Sequence, residues 1–218
     1  MPKRFDLLVF DWDGTLMDSA GAIVFSIQSA CRDLGLPVPD EPAARHIIGL
    51  GLRDALTTLL PDLPQAGYAR LVERYRHYYL ARDQEIPLFE GAANVVRGLA
   101  RAGFLLAVAT GKSRQGLNRA LAHTGLAGCF HASRCADECF SKPHPGMLKE
   151  IMAELDTPPG RTLMIGDTTH DLQMAANAGV AGLAVAYGAH PRESLEAMSP
   201  VATLATFCEL RQWLNAHA

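Results

Sequence analysis

The sequence predicts an α/β protein, a Rossmann-like parallel sheet core with an inserted α-helical cap. Three observations predict it. Short apolar runs ended by Gly, Asp or Thr recur along the chain, and amphipathic stretches separate them, as in a parallel sheet covered by helices. The interval between the first two runs exceeds an ordinary crossover and is helical in pattern throughout, which marks an insertion.

The expected strands are residues 6–10, 104–110, 129–133, 162–166 and 182–186. Helices are expected over 91–102, 114–123, 145–155 and 170–178, alternating with the last four strands. From 18 to 85 no convincing strand occurs. Hinges are placed near 16–19 and 86–91, where Pro87 and Gly91 break helix. The core is therefore assigned to 1–17 and 87–218, and the cap to 18–86.

Composition bounds the function. With 218 residues, 49% of them hydrophobic and 20% charged, the chain is long enough for a sizeable buried core and a cleft between two lobes. The net charge of −3 is spread without a basic stripe, which argues against nucleic acid as a partner. No run reaches membrane-spanning length, and the apolar segment after Lys3-Arg4 meets an acidic motif instead of a cleavage site, so a cytoplasmic protein is expected. Five cysteines without framework spacing fit a reducing compartment. A zinc site from His131, Cys135, Cys139 and His144 matches no familiar ligand spacing and ranks below cysteine acting as a small hydrophobe.

Four motifs carry chemistry. The first strand ends in Asp11-Trp12-Asp13-Gly14-Thr15, where two carboxylates two residues apart can project into one site and Gly14 permits a sharp turn. The second ends in Thr110-Gly111-Lys112-Ser113, a hydroxyl and helix-start N–H groups suited to an anionic oxygen. In Ser141-Lys142-Pro143-His144-Pro145, Pro143 and Pro145 stiffen the approach and could hold the Lys142 ammonium in a fixed place. The fourth strand ends in Gly166-Asp167, with Asp171 four residues on, so the first can reach a metal and the second support it.

Singly, each motif admits a plainer reading: a routine Asp-Gly turn, a helix cap, a solvated lysine. All four fall at the carboxyl ends of successive strands, where open α/β sheets bind ligands. Four aspartates and a lysine around one point make a hard-oxygen site for Mg²⁺ and a phosphate.

At these residues the chain closely resembles the haloacid dehalogenase-like hydrolase superfamily, in particular its phosphatases with a helical cap after the first motif, such as phosphoglycolate phosphatases. The resemblance implies that Asp11 is the nucleophile and a metal ligand. It makes Asp13 the general acid and base, also giving its backbone carbonyl to the metal. Thr110 would hold a phosphoryl oxygen, Lys142 would neutralise charge, and Asp167 would bind Mg²⁺ with Asp171 supporting its water shell. Dehalogenases lack the aspartate at position 13, so the expected substrate is a small phosphorylated metabolite. Gly111-Lys112 departs from the Asn-Lys or Asn-Ser common after the threonine, which leaves the role of Lys112 open.

Specificity is expected in the cap segment Ile48-Gly49-Leu50-Gly51-Leu52-Arg53. Gly49 and Gly51 make a poor helix interior and let backbone approach a ligand, joined on the core side by Gly111; Arg53 offers a guanidinium for a second anionic group. Trp12, Tyr75, Tyr78 and Tyr79 read as packing, and His170 as a loop residue. A sugar phosphomutase of the same superfamily, a pyrophosphatase and a catalytically silent binding protein are the competing functions. Oligomeric state and physiological substrate are not legible.

Overall fold

A computed structural model describes residues 4–217, so positions 1–3 and 218 of the assigned core lie outside it. Six parallel strands form one sheet in the order β3-β2-β1-β4-β5-β6. They are β1 (Leu7–Phe10), β2 (Leu105–Thr110), β3 (Ala132–Cys135), β4 (Thr162–Gly166), β5 (Ala181–Val185) and β6 (Thr203–Leu204). The first strand is central and fully buried because Leu7-Leu8-Val9-Phe10 has no polar face to offer solvent. Alternation sends Leu7 and Val9 to one side, against Met147, Ile151 and Met174, and Leu8 and Phe10 to the other.

Helices cover both faces: α5 (Ala92–Arg101), α6 (Arg114–Thr124), α7 (Gly146–Glu154), α8 (Thr169–Ala178), α9 (Arg192–Glu196) and α10 (Phe207–His217). Between β1 and β2 the chain forms α1 (Ala20–Asp33), α2 (Glu41–His46), α3 (Leu52–Leu59) and α4 (Gln65–Leu80), with no strand among them. The two ends of this helical segment run side by side. Asp18 N–H donates to the Pro87 carbonyl at 2.9 Å and Phe89 N–H to that of Leu16 at 3.0 Å.

The third strand lies later than residues 129–133. Residues Ala127–Cys129 close a short 3₁₀ turn, and pairing with β2 begins only at Ala132. Beyond the expected elements the chain adds β6, α9 and α10. Register brings the motifs together. Phe10 lies opposite Val108 and Ile165, so Asp11, Thr110 and Asp167 leave three neighbouring strands within one residue of a common level.

Candidate active site

Asp11, Thr110, Asp167 and Asp171 are fully buried, and Asp13 and Lys142 nearly so. The Lys142 ammonium stands 2.6 Å from Asp11 Oδ1 and 2.6 Å from Asp171 Oδ1. Ligand oxygens of Asp11, Asp167 and Asp171 lie within 4.8 Å of one another, the one such group of three among the described residues. His131, Cys135, Cys139 and His144 therefore do not gather a metal. His131 Nδ1 instead accepts from Leu106 N–H at 3.1 Å, and His144 Nδ1 from Gly146 N–H at 3.1 Å.

Each carboxylate is aimed by its neighbours. Asp167 accepts from the Thr15 hydroxyl at 2.7 Å on one oxygen and from Ala189 N–H at 2.7 Å on the other. A side chain on Gly14 or Gly188 would run into that carboxylate, and Gly14 in addition holds φ +85°, so both positions call for glycine. Asp171 forms a capping box with Thr168 at the start of α8; the Thr168 hydroxyl donates to Oδ2 at 2.6 Å. This leaves Asp171 Oδ1 with the Lys142 ion pair alone and Asp11 Oδ2 with no hydrogen-bond partner among the described residues.

One ammonium among three buried carboxylates leaves negative charge unmatched. Burial, then repulsion from Asp171 and Asp167 against the pull of Lys142, holds Asp11 well above the usual carboxylate range. The same cause, burial first and Asp171 second, pushes Asp167 up to about 7. On Lys142 burial acts downward, but Asp11 and Asp171 outweigh it and the ammonium is held above its ordinary range. Three buried carboxylates sharing one ammonium, an all-oxygen donor set with excess negative charge, fit a hard divalent cation.

Asp13 stands apart from that group. Its carboxylate takes the Ser19 hydroxyl at 2.7 Å and Lys112 Nζ at 2.8 and 3.0 Å. Lys112 Nζ also lies 2.8 Å from the Tyr79 hydroxyl oxygen, at the end of α4. No motif in the sequence marks Ser19 or Tyr79 for this place. Tyr79 does pack, against Tyr75 at 5.7 Å between centroids, but its hydroxyl reaches the site across the cleft.

Thr110 Oγ1 accepts from Lys112 N–H at 3.2 Å, holding the turn after β2. Gly111 is pressed against the helical segment: a Cβ there would strike the Leu50 carbonyl oxygen and lie 2.6 Å from that of Gly49. Gly51 N–H donates to Ser141 Oγ at 2.8 Å, so the glycine loop rests on two of the motifs at once. Arg53 is exposed at the start of α3 and lines the cleft without a described ion-pair partner. Trp12 is fully buried, its Nε1 3.4 Å from Met17 Sδ. His170 is no loop residue. It lies in the first turn of α8, and its Nε2 and that of His190 donate to the His46 carbonyl at 2.8 and 3.0 Å, fastening α2 to the core.

A parallel α/β sheet with buried carboxylates and a lysine at its carboxyl edge, covered by a helical insertion, defines a class of hydrolases built on an aspartate cluster. The chain belongs to the haloacid dehalogenase-like hydrolase family, whose profile matches residues 8–185. It is 38% identical to Probable phosphatase IndB of Dickeya dadantii, over 94% of this chain and 91% of that one. Tyrosine-protein kinase PtkA of Mycobacterium tuberculosis is 34% identical over 96% of this chain and 72% of its own length. A phosphoglycolate phosphatase of Vibrio vulnificus is 29% identical over 91% of each chain. Among solved structures, a predicted phosphatase from Clostridium acetobutylicum shares the fold with a TM-score of 0.85 and 24% identity, covering 97% of this chain and 99% of that one. The chain is an enzyme of the phosphatase type within this family. Among the described residues no helix is long and apolar enough to cross a membrane.

Proposed function

We propose that the chain is a Mg²⁺-dependent phosphatase that hydrolyses a small phosphomonoester through a phosphoryl group carried on Asp11. The supporting observation is Asp11 Oδ2, a buried oxygen with no hydrogen-bond partner among the described residues, beside an ammonium and two further carboxylates. An oxygen left free to bond is what a nucleophile needs.

Asp11 Oδ2 attacks phosphorus, the bond to the ester oxygen breaks, and Asp13 gives that oxygen its proton. Asp13 then takes a proton from water as the water oxygen attacks phosphorus, releasing phosphate and restoring Asp11. Proton transfer of this kind is worth roughly 10²- to 10⁴-fold. Lys142 offsets charge on Asp11 and the phosphoryl oxygens, and the Thr110 hydroxyl with the Gly111 backbone holds one of those oxygens. Asp11, Asp167, Asp171 and the Asp13 carbonyl are the groups that would hold Mg²⁺ and its water shell, and the ion would supply screening between carboxylate and phosphate.

Residues 18–86 act as the cap, with the Gly49 loop over Gly111 and Arg53 at the rim of the cleft. Five free thiols fit a cytoplasmic protein. Phosphate release from phosphomonoesters with and without Mg²⁺ tests the reading. Turnover unchanged after exhaustive chelation contradicts the metal assignment. A need for a bisphosphate activator without release of phosphate identifies a mutase instead.

A further inference from the structure

Between the helical segment and the sheet lies a cavity of about 530 Å³ that runs to Asp13 and Lys112. That size is within the range of sites that enclose a drug-sized ligand, roughly 300–1,000 Å³. A two-carbon acid such as glycolate leaves most of it to water.

On the side of the helical segment the lining is mainly aliphatic, with the Tyr75 phenol as its polar exception. Ile23 and Ile27 come from α1, Ile47 and Ile48 from the turn after α2, and Val72 and Tyr75 from α4. The charged groups that the helical segment adds to this cavity, Arg53, Asp54 and Arg76, are all exposed, so its formal charge on that side is at the rim. The Tyr79 hydroxyl already meets Lys112, and Lys112 already meets Asp13. A sugar lodged against Ile23, Ile27, Ile48 and Val72 would set several hydroxyls on aliphatic surface, where each loses water and only those that reach Tyr75 or Ser113 find a partner. An apolar body meets no such loss and gains by leaving water.

We infer that the phosphomonoester this site takes has an apolar, ring-sized alcohol portion, distinct from both a two-carbon acid and a sugar. The inference rests on the phosphatase reading for its chemistry and on the cavity for its selectivity.

The test compares esters whose leaving alcohols are all alkoxides: 2-phenylethyl phosphate, ethyl phosphate, 2-phosphoglycolate and glucose 6-phosphate, each with Mg²⁺. Each well-buried methylene is worth about fourfold, so kcat/KM for 2-phenylethyl phosphate is expected to exceed that for each of the others at least tenfold. Val72→Asn, a change at a half-buried wall position, is expected to shrink the phenylethyl-to-ethyl ratio at least threefold. Equal or better turnover of glucose 6-phosphate or phosphoglycolate overturns the inference while leaving a phosphatase in place. If no ester is hydrolysed, the phosphatase reading fails. Calorimetric binding of 3-phenylpropylphosphonate and propylphosphonate to the wild-type protein with Mg²⁺ then decides. Tenfold tighter binding of the phenyl compound upholds the apolar site, and equal or absent binding overturns it.

Discussion

Lys112 Nζ sits 2.8 and 3.0 Å from the two oxygens of Asp13, and both side chains are about one-tenth exposed. Burial alone would lower the Lys112 pKa, but Asp13 and then Tyr79 reverse it and hold the ammonium above its ordinary range. We propose that this lysine, whose role the motif left open, positions the acid and base. Tyr79, from the helical segment, meets that pair across the cleft. Lys112→Met leaves Asp13 with only the Ser19 hydroxyl and is expected to cost about 3 kcal/mol in stability, the scale for breaking a mostly buried ion pair. Tyr79→Phe removes one hydrogen bond, worth about 1 kcal/mol, and is expected to lower kcat for alkyl esters several-fold while sparing p-nitrophenyl phosphate, whose leaving group needs little protonation. Urea unfolding and the two rates check this; equal losses on both substrates contradict a positioning role.

The Asp167 pKa of about 7 makes the metal-free protein pH-sensitive. Its folded pKa lies above the unfolded value near 3.8, so the folded state keeps a proton that the unfolded state releases. That contribution to stability is complete below about pH 4 and is lost as pH rises through 7. Binding a cation displaces the proton, so Mg²⁺ affinity is expected to climb from pH 5 to about 7 and level off above it. Calorimetric titration at several pH values checks the slope, and Asp167→Asn should weaken both dependences, leaving the part that the raised Asp11 contributes.

Gly111 lies where the helical segment rests on the core. A methyl group there would meet the Leu50 and Gly49 carbonyl oxygens, so Gly111→Ala has to push the Gly49 loop away. The expected outcome is at least a tenfold fall in kcat/KM with an unfolding midpoint within a few degrees of wild type. Full activity in this variant would show that the loop need not close on Gly111.

Arg53 has no described ion-pair partner and stands at the rim of the cleft. Arg53→Ala is expected to reduce kcat/KM for an ester carrying a distal carboxylate by the equivalent of roughly 1.5 to 3 kcal/mol, the range for a charge-assisted hydrogen bond. An uncharged aryl ester should change far less. Loss on neither substrate would make Arg53 a solvated surface residue.

The motif residues were legible because their strands are buried on both faces and so read as apolar runs, each ending abruptly in Asp, Thr or Gly. The insertion was legible from its length. The third strand was misplaced because Ala132-Ser133-Arg134-Cys135 is half polar, with Ser133 and Arg134 only partly buried, whereas the flanking Cys129-Phe130 looked more like sheet. A two-residue strand such as Thr203–Leu204 leaves no periodicity to read. Contacts across long separations were invisible for a different reason. Nothing local in Tyr79 tells it from Tyr75 or Tyr78, and its partner Lys112 is 33 residues away. Likewise His46, His170 and His190 come together only once α2 docks on the core.

In the proposed reaction the phosphoryl group passes through Asp11. Rapid acid quench of the enzyme with Mg²⁺ and a turned-over phosphomonoester, followed by mass spectrometry of its peptides, tests it directly. The expected result is a phosphoryl group on the peptide carrying Asp11, more of it in Asp13→Asn, where the water step is slowed, and none in Asp11→Asn. A phosphoryl group trapped on Asp11→Asn, or phosphate released by that variant at the wild-type rate, would contradict it.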